Sequence, residues 1–163
     1  KCDLFKSFFF CMFVFQFISM STILLSIGSN TFAKTNIDKA KRMLSFIFQD
    51  IIFSEPILSE PDDDKYKYLF RNILASFETD MSQEEIIDKI KQTERAVGRT
   101  PKDKYQGKVV IDIDLLKYGE EIVRPQDFEK EYVQQLLTTF VIPETTHVTT
   151  LPDEPDVQDE VDQ

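Results

Sequence analysis

In the segment VVIDIDLLKYG, Asp112 and Asp114 stand two residues apart inside a run that is otherwise apolar. Charged side chains are rarely buried without a partner. Strand periodicity puts Ile111, Ile113 and Leu115 on one face and Lys108, Val110, Asp112 and Asp114 on the other. The two carboxylates then lie roughly 7 Å apart on the same side of a strand. Two like charges this close call for a cation. A hard divalent ion such as Mg²⁺ suits oxygen ligands and is commonly held by one or two carboxylates together with substrate phosphates. The preceding segment, GRTPKDKYQGK, brings Arg99, Lys102, Lys104 and Lys108, the charges that phosphates require. Taken alone, the same D-x-D is equally compatible with carboxylates facing solvent at a sheet edge beside a solvated basic loop.

The rest of the chain narrows the chemistry. Its 163 residues allow one domain with one real core. The net charge of −10 is uneven: residues 143–163 carry Glu144, Asp153, Glu154, Asp156, Asp159, Glu160 and Asp162 and no Lys or Arg. This tail is expected to be disordered. An acidic chain without a basic face argues against binding nucleic acid through its phosphates. The cysteines are Cys2 and Cys11 and the single histidine is His147, all outside the expected body. Cys/His zinc sites, cysteine nucleophiles and Ser-His-Asp triads are thereby removed from the body, leaving carboxylates, Lys, Arg, hydroxyls or a hard metal. The Phe-rich start has an apolar run over residues 8–18, too short to span a bilayer comfortably and lacking a small-x-small cleavage signature. Because Met20 directly precedes a good first strand, residues 1–19 read as upstream sequence rather than a targeting segment, with no stable membrane association and a cytoplasmic location expected. The expected division is an extension over 1–19, a domain over 20–140 and an acidic tail over 141–163.

The elements that must position the pair follow from periodicity. Residues 22–27 (TILLSI) form a buried strand ended by Gly28-Ser29-Asn30. A helix capped by Asn36 follows, with Ile37, Ala40, Leu44, Ile47 and Phe48 on one stripe. Residues 51–58 are β-rich but contain Pro56, which indicates an edge strand or bulge. Residues 59–67 form a loop and residues 68–78 a third strand with one partly polar face. Ser82 and Glu85 make a capping box for a helix carrying Ile86, Ile87, Ile90 and Val97, ended by Gly98. After the basic loop come the aspartate strand over 109–116 and one final helix over 127–137. The order βαββαβ predicts an α+β, ferredoxin-like sandwich: an antiparallel sheet with helices on one face and an extra C-terminal helix.

Four stretches, SIGSN, RNILASFET, ERAVGR and IDIDLLKYG, together resemble the 6-hydroxymethyl-7,8-dihydropterin pyrophosphokinase family of folate biosynthesis, over about residues 20–137. The most specific element is Gly98-Arg99 followed, after a basic loop, by Asp112-Ile113-Asp114. The resemblance implies that Asp112 and Asp114 hold two Mg²⁺ ions with the ATP phosphates and the pterin hydroxymethyl oxygen. It implies that Asn72 hydrogen-bonds the pterin, that Phe70 and Tyr132 are the aromatics around its ring, and that Gly28-Ser29-Asn30 is the turn beneath the pocket. Glu94 falls in the family's nucleotide-side helix, with Lys102 and Lys104 on the ATP side. Phe70 and Tyr132 as plain core residues, and Asn72 as a turn cap, stay open as alternatives.

The chain departs from the family pattern at three places. Gly107-Lys108-Val109 stands where the family has Gly-Pro-Arg, Gln126 stands where it has a histidine, and Gln106 stands where an aromatic is common, with Tyr105 beside it. By strand parity Lys108 lies on the carboxylate face, but a lysine does not reproduce the bidentate fork of an arginine. The expected activity is Mg²⁺-dependent transfer of diphosphate from ATP to the dihydropterin, with Asp112, Asp114, Arg99 and Lys108 as its catalytic residues. The alternatives are a weakened relative that binds pterin or nucleotide, or a ferredoxin-like interaction module.

Overall fold

The computed structural model describes residues 20–63 and 65–142. The Phe-rich extension and the acidic tail lie outside the described residues. The chain runs β1 (Ser21–Ser29), α1 (Ala33–Ile47), β2 (Ile52–Phe53), β3 (Ile57–Ser59), β4 (Phe70–Thr79), α2 (Gln83–Val97), a 3₁₀ turn (Asp103–Gln106), β5 (Asp112–Tyr118), β6 (Glu121–Ile122), α3 (Pro125–Phe128) and α4 (Glu131–Leu137). One antiparallel sheet takes the order β2-β4-β1-β5-β6, with β3 also pairing β4. With β2 and β3 counted as one interrupted strand and β6 as an added hairpin arm, this is the βαββαβ arrangement that the sequence predicts.

The central strands β1 and β4 are buried on both faces, so two cores form. On one face Ile23, Leu25, Ile27, Ile73, Ala75, Phe77, Ile111, Ile113 and Leu115 meet the stripes of α1 and α2, including Ile37, Ala40, Leu44, Ile86, Ile90 and Val97. On the other, Leu24, Leu74 and Leu116 meet Val133 and Leu136 of α4. The C-terminal helix therefore covers the face opposite α1 and α2, so the helices are not confined to one side.

Several boundaries differ from expectation for identifiable reasons. Helix α1 starts at Ala33, not at an Asn36 cap; Phe32 precedes it with φ 44° and offers no capping side chain. Asn36 instead reaches back from the first turn, its Nδ2 donating to the Thr31 carbonyl at 2.6 Å. Pro56, which has no N–H to give a ladder, falls between β2 and β3 and splits that edge strand in two. The final helix is also two pieces, α3 and α4, broken at Glu129-Lys130. The Ser82–Glu85 capping box is present as expected: Ser82 Oγ accepts from the Glu85 amide, and Glu85 accepts from the Ser82 amide at 2.8 Å.

Helix α4 is short, so packing rather than propensity must hold it on the sheet. Leu136→Ala is expected to cost about 2–4 kcal/mol, as for other buried leucines that leave a cavity. Urea denaturation of the variant against the parent protein measures this, with a lowered midpoint at unchanged slope.

Candidate active site

The registers of β4 and β5 on β1 bring the chemistry together. Asp112 is paired with Gly28 and Asp114 with Ser26 on β1, and Gly28 is in turn opposite Asn72 on β4. Asp112, Asp114 and Asn72 therefore share a face across three adjacent strands. Gly28 keeps them close: a Cβ built there would lie 2.8 Å from Asn72 Oδ1. The opposite faces of Ile111, Ile113 and Leu115 are core, as parity predicts. Asp112 is 42% exposed and Asp114 23%.

Neither aspartate is without a cation. Arg99 donates to Asp112, and Arg124 lies 2.7 Å from Asp114 Oδ1. Arg99 is aimed by Glu94, a buried carboxylate in the last turn of α2 that accepts from Arg99 and, at 2.9 Å, from the backbone N–H of Ile113. Arg124 also lies 3.3 Å from Asp127, which pairs at 3.0 Å with Lys130; Lys130 reaches Asp62 at 3.4 Å. Burial pushes the Glu94 pKa upward against the opposing Ile113 amide and Arg99 charge. Burial, reinforced by the neighbouring Asp112 charge, pushes Asp114 up to about 6 despite Arg124.

Three cavities meet at the pair. One, about 650 Å³, is lined by Arg99, Asp112, Asp114, Arg124, Asp127 and Lys130. Of the other two, the larger, about 770 Å³, is lined by Lys91, Arg95, Arg99 and Lys108, together with Tyr66, Val109 and Asp112. The smaller, about 150 Å³, is lined by Phe70, Asn72 and Tyr132 with Tyr66, Val109, Asp112, Asp114 and Lys130. Phe70 packs edge-on to Tyr66 with ring centres 5.4 Å apart. Asn72 Nδ2 donates to Ser59 Oγ at 2.8 Å, and the Tyr132 hydroxyl lies 3.2 Å from Ser26 Oγ.

The residues singled out from sequence thus separate into groups. Asp112, Asp114, Arg99, Glu94, Lys108, Phe70, Asn72 and Tyr132 converge on the latter two cavities. Lys102 lies exposed on the turn after Pro101 and is not part of either lining. The side chain of Lys104 lies outside the described residues. Ser29 and Asn30 line neither cavity. Ser29 Oγ donates to the Val110 carbonyl at 2.7 Å, while Asn30 accepts from the Val109 amide at 2.7 Å and donates to the Gly107 carbonyl at 3.1 Å. They clasp the end of the basic loop to the end of β1. Arg124, Tyr66, Lys130, Lys91 and Arg95 were missed. Lys91, Arg95 and Arg99 recur every four residues, a helical period in charge rather than in apolarity, and that signal could have found them. For Arg124, which only precedes a proline, no local signal exists.

The donor set fits a hard cation. Among the described residues no three His, Cys, Asp or Glu side chains gather into a complete metal cage. Two carboxylates on one face are the kind of donor set that suits Mg²⁺ when phosphate oxygens and water complete its shell.

A family model described as 7,8-dihydro-6-hydroxymethylpterin-pyrophosphokinase matches residues 24–142. The chain belongs to this family. The match runs from within β1 to the residues beyond α4 and includes the aspartate pair and the residues lining the cavities around it, so the pyrophosphokinase family of folate synthesis supplies the fold and general activity class. No curated protein matches the chain. Among the described residues no helix is long and apolar enough to cross a membrane.

An aspartate whose folded pKa is raised from 3.8 to about 6 binds an extra proton in the folded state across that window. The contribution of Asp114 to stability in EDTA therefore falls as pH rises from about 4 to 6, the reverse of the usual carboxylate effect. Asp114→Asn removes the cost and is expected to gain on the order of 1–3 kcal/mol at pH 7 but little at pH 4. Denaturation at the two pH values checks this; a variant less stable than the parent at pH 7 would contradict the buried-charge assignment.

Proposed function

We propose that the chain transfers the terminal diphosphate of ATP to the hydroxymethyl oxygen of 6-hydroxymethyl-7,8-dihydropterin. The hydroxyl oxygen bonds to the β-phosphorus, the bond from that phosphorus to the oxygen bridging to the α-phosphorus breaks, AMP leaves, and the hydroxyl proton is lost. The observation that carries this reading is the aspartate pair at the junction of two unlike cavities, one lined by cations and one by aromatic and amide groups.

In this reading Lys91, Arg95, Arg99 and Lys108 hold the triphosphate in the larger cavity, where Arg99 is preset by Glu94. Phe70 and Tyr132 offer flat apolar faces to the pterin ring, and Asn72 offers an amide to its edge. Asp112 and Asp114 would hold Mg²⁺, which when bound neutralises phosphate charge and acidifies the hydroxyl. Holding both substrates at one junction lets the protein convert an encounter into a positioned in-line displacement.

A second reading, a relative that binds both substrates but turns over weakly, is favoured by Val109. It lines both cavities, where the resemblance expects an arginine. AMP release from ATP with and without the dihydropterin separates the two readings. Asp112→Ala and Asp114→Ala are each expected to abolish that release while the circular dichroism spectrum stays native; turnover retained in both would remove the pair from the reaction. Because Val109 is half-buried and faces the cavities, Val109→Arg should fold. Transition-state contacts to phosphate raise kcat more than they lower KM, so it is expected to gain roughly tenfold in kcat, measured by the same assay.

A further inference from the structure

The two arginines on the aspartate pair are built alike. Nη1 of Arg99 contacts Asp112 and also Glu94. Nη1 of Arg124 lies 2.7 Å from Asp114 and 3.3 Å from Asp127. In each case one nitrogen bridges a carboxylate of the pair and a carboxylate outside it. Each outer carboxylate is itself anchored, Glu94 by the Ile113 amide and Asp127 by Lys130.

A divalent cation on the pair takes oxygens that these guanidinium groups engage. We propose that Arg99 and Arg124 are exchangeable counter-ions of the pair: the cation takes over Asp112 and Asp114, while each arginine keeps its outer carboxylate and stays beside the site. This rests on the reading of the pair given above and adds a role for Arg124 that the sequence did not suggest. Arginine suits the exchange because it carries five donors, so releasing one bond leaves others to meet phosphate oxygens. The consequence is coupling. A bare cation must displace two guanidinium groups, whereas a cation arriving with a polyphosphate brings each of them a new anion. The site therefore favours the metal–nucleotide complex over the free ion.

Binding of Mn²⁺, read by electron paramagnetic resonance, tests the exchange without turnover. Arg124→Ala is expected to bind Mn²⁺ alone at least fivefold more tightly than the parent protein and to gain less affinity when a non-hydrolysable ATP analogue is added. Lys117→Ala removes a positive charge further along β5, where Lys117 lies 3.5 Å from Glu120; it is expected to change Mn²⁺ affinity less than twofold. Arg124→Gln, which keeps most of the bulk, is expected to behave as Arg124→Ala and guards against a folding defect. Equal or weaker Mn²⁺ binding in both Arg124 variants, a gain no larger than that of Lys117→Ala, or no Mn²⁺ binding by any of these proteins overturns the exchange. AMP release by the same parent protein is scored separately. Its absence alongside the Mn²⁺ signature would overturn diphosphate transfer and leave the exchange standing, whereas turnover with unchanged Mn²⁺ affinity in the variants would overturn the exchange alone.

Discussion

The buried carboxylate of Glu94 is the interaction on which the site depends. Strand β5 is paired along its inner edge by β1, but β6 covers its outer edge only at Lys117 and Tyr118. The amide of Ile113 between the two aspartates is buried, and an unmet buried amide is costly. Glu94 takes it, and the same oxygen takes Arg99. One side chain thus closes the sheet edge, fixes the end of α2 against β5 and aims a guanidinium at Asp112. Burial raises its pKa, and the two donors are what keep a charge tenable there.

From that anchor the charges alternate around the junction: Glu94, Arg99 and Asp112 on one side, Asp114, Arg124, Asp127 and Lys130 on the other. The alternation lets two like charges sit side by side on one strand face. It does so incompletely, because burial, with Asp112 beside it, still pushes the Asp114 pKa up to about 6. A site that is electrostatically underpaid at one carboxylate is poised to accept further positive charge.

Much of this was legible in the residues themselves. Period-two alternation placed Asp112 and Asp114 opposite Ile111, Ile113 and Leu115, and the capping box with Gly98 delimited α2. What failed was tertiary. Asn36 has the chemistry of a cap, yet α1 begins earlier because Thr31 and Phe32 turn the chain there. The break between α3 and α4 has no proline or glycine to announce it. Ser29 and Asn30 were legible as important but not in what they do, since their partners lie about eighty residues away. The Arg124–Asp114 pair was invisible because only the β5–β6 hairpin folds those two residues together.

The clasp formed by Ser29 and Asn30 bears on how the family's basic loop can change over time. The loop is fixed at both ends: the Arg99 amide donates to the Glu94 carbonyl at 3.0 Å, and Asn30 holds Gly107 and Val109. Between these ends the described hydrogen bonds run within the loop, from Thr100 and Lys108 to Asp103, and lengthening a closed loop raises its closure entropy only slowly, by roughly 0.6 kcal/mol per doubling. Insertions and deletions there can reshape the wall of the larger cavity while the carboxylates keep their places. A change in the length of the basic loop can thus alter the cation-lined cavity while leaving the cavity around Phe70, Asn72 and Tyr132 in place.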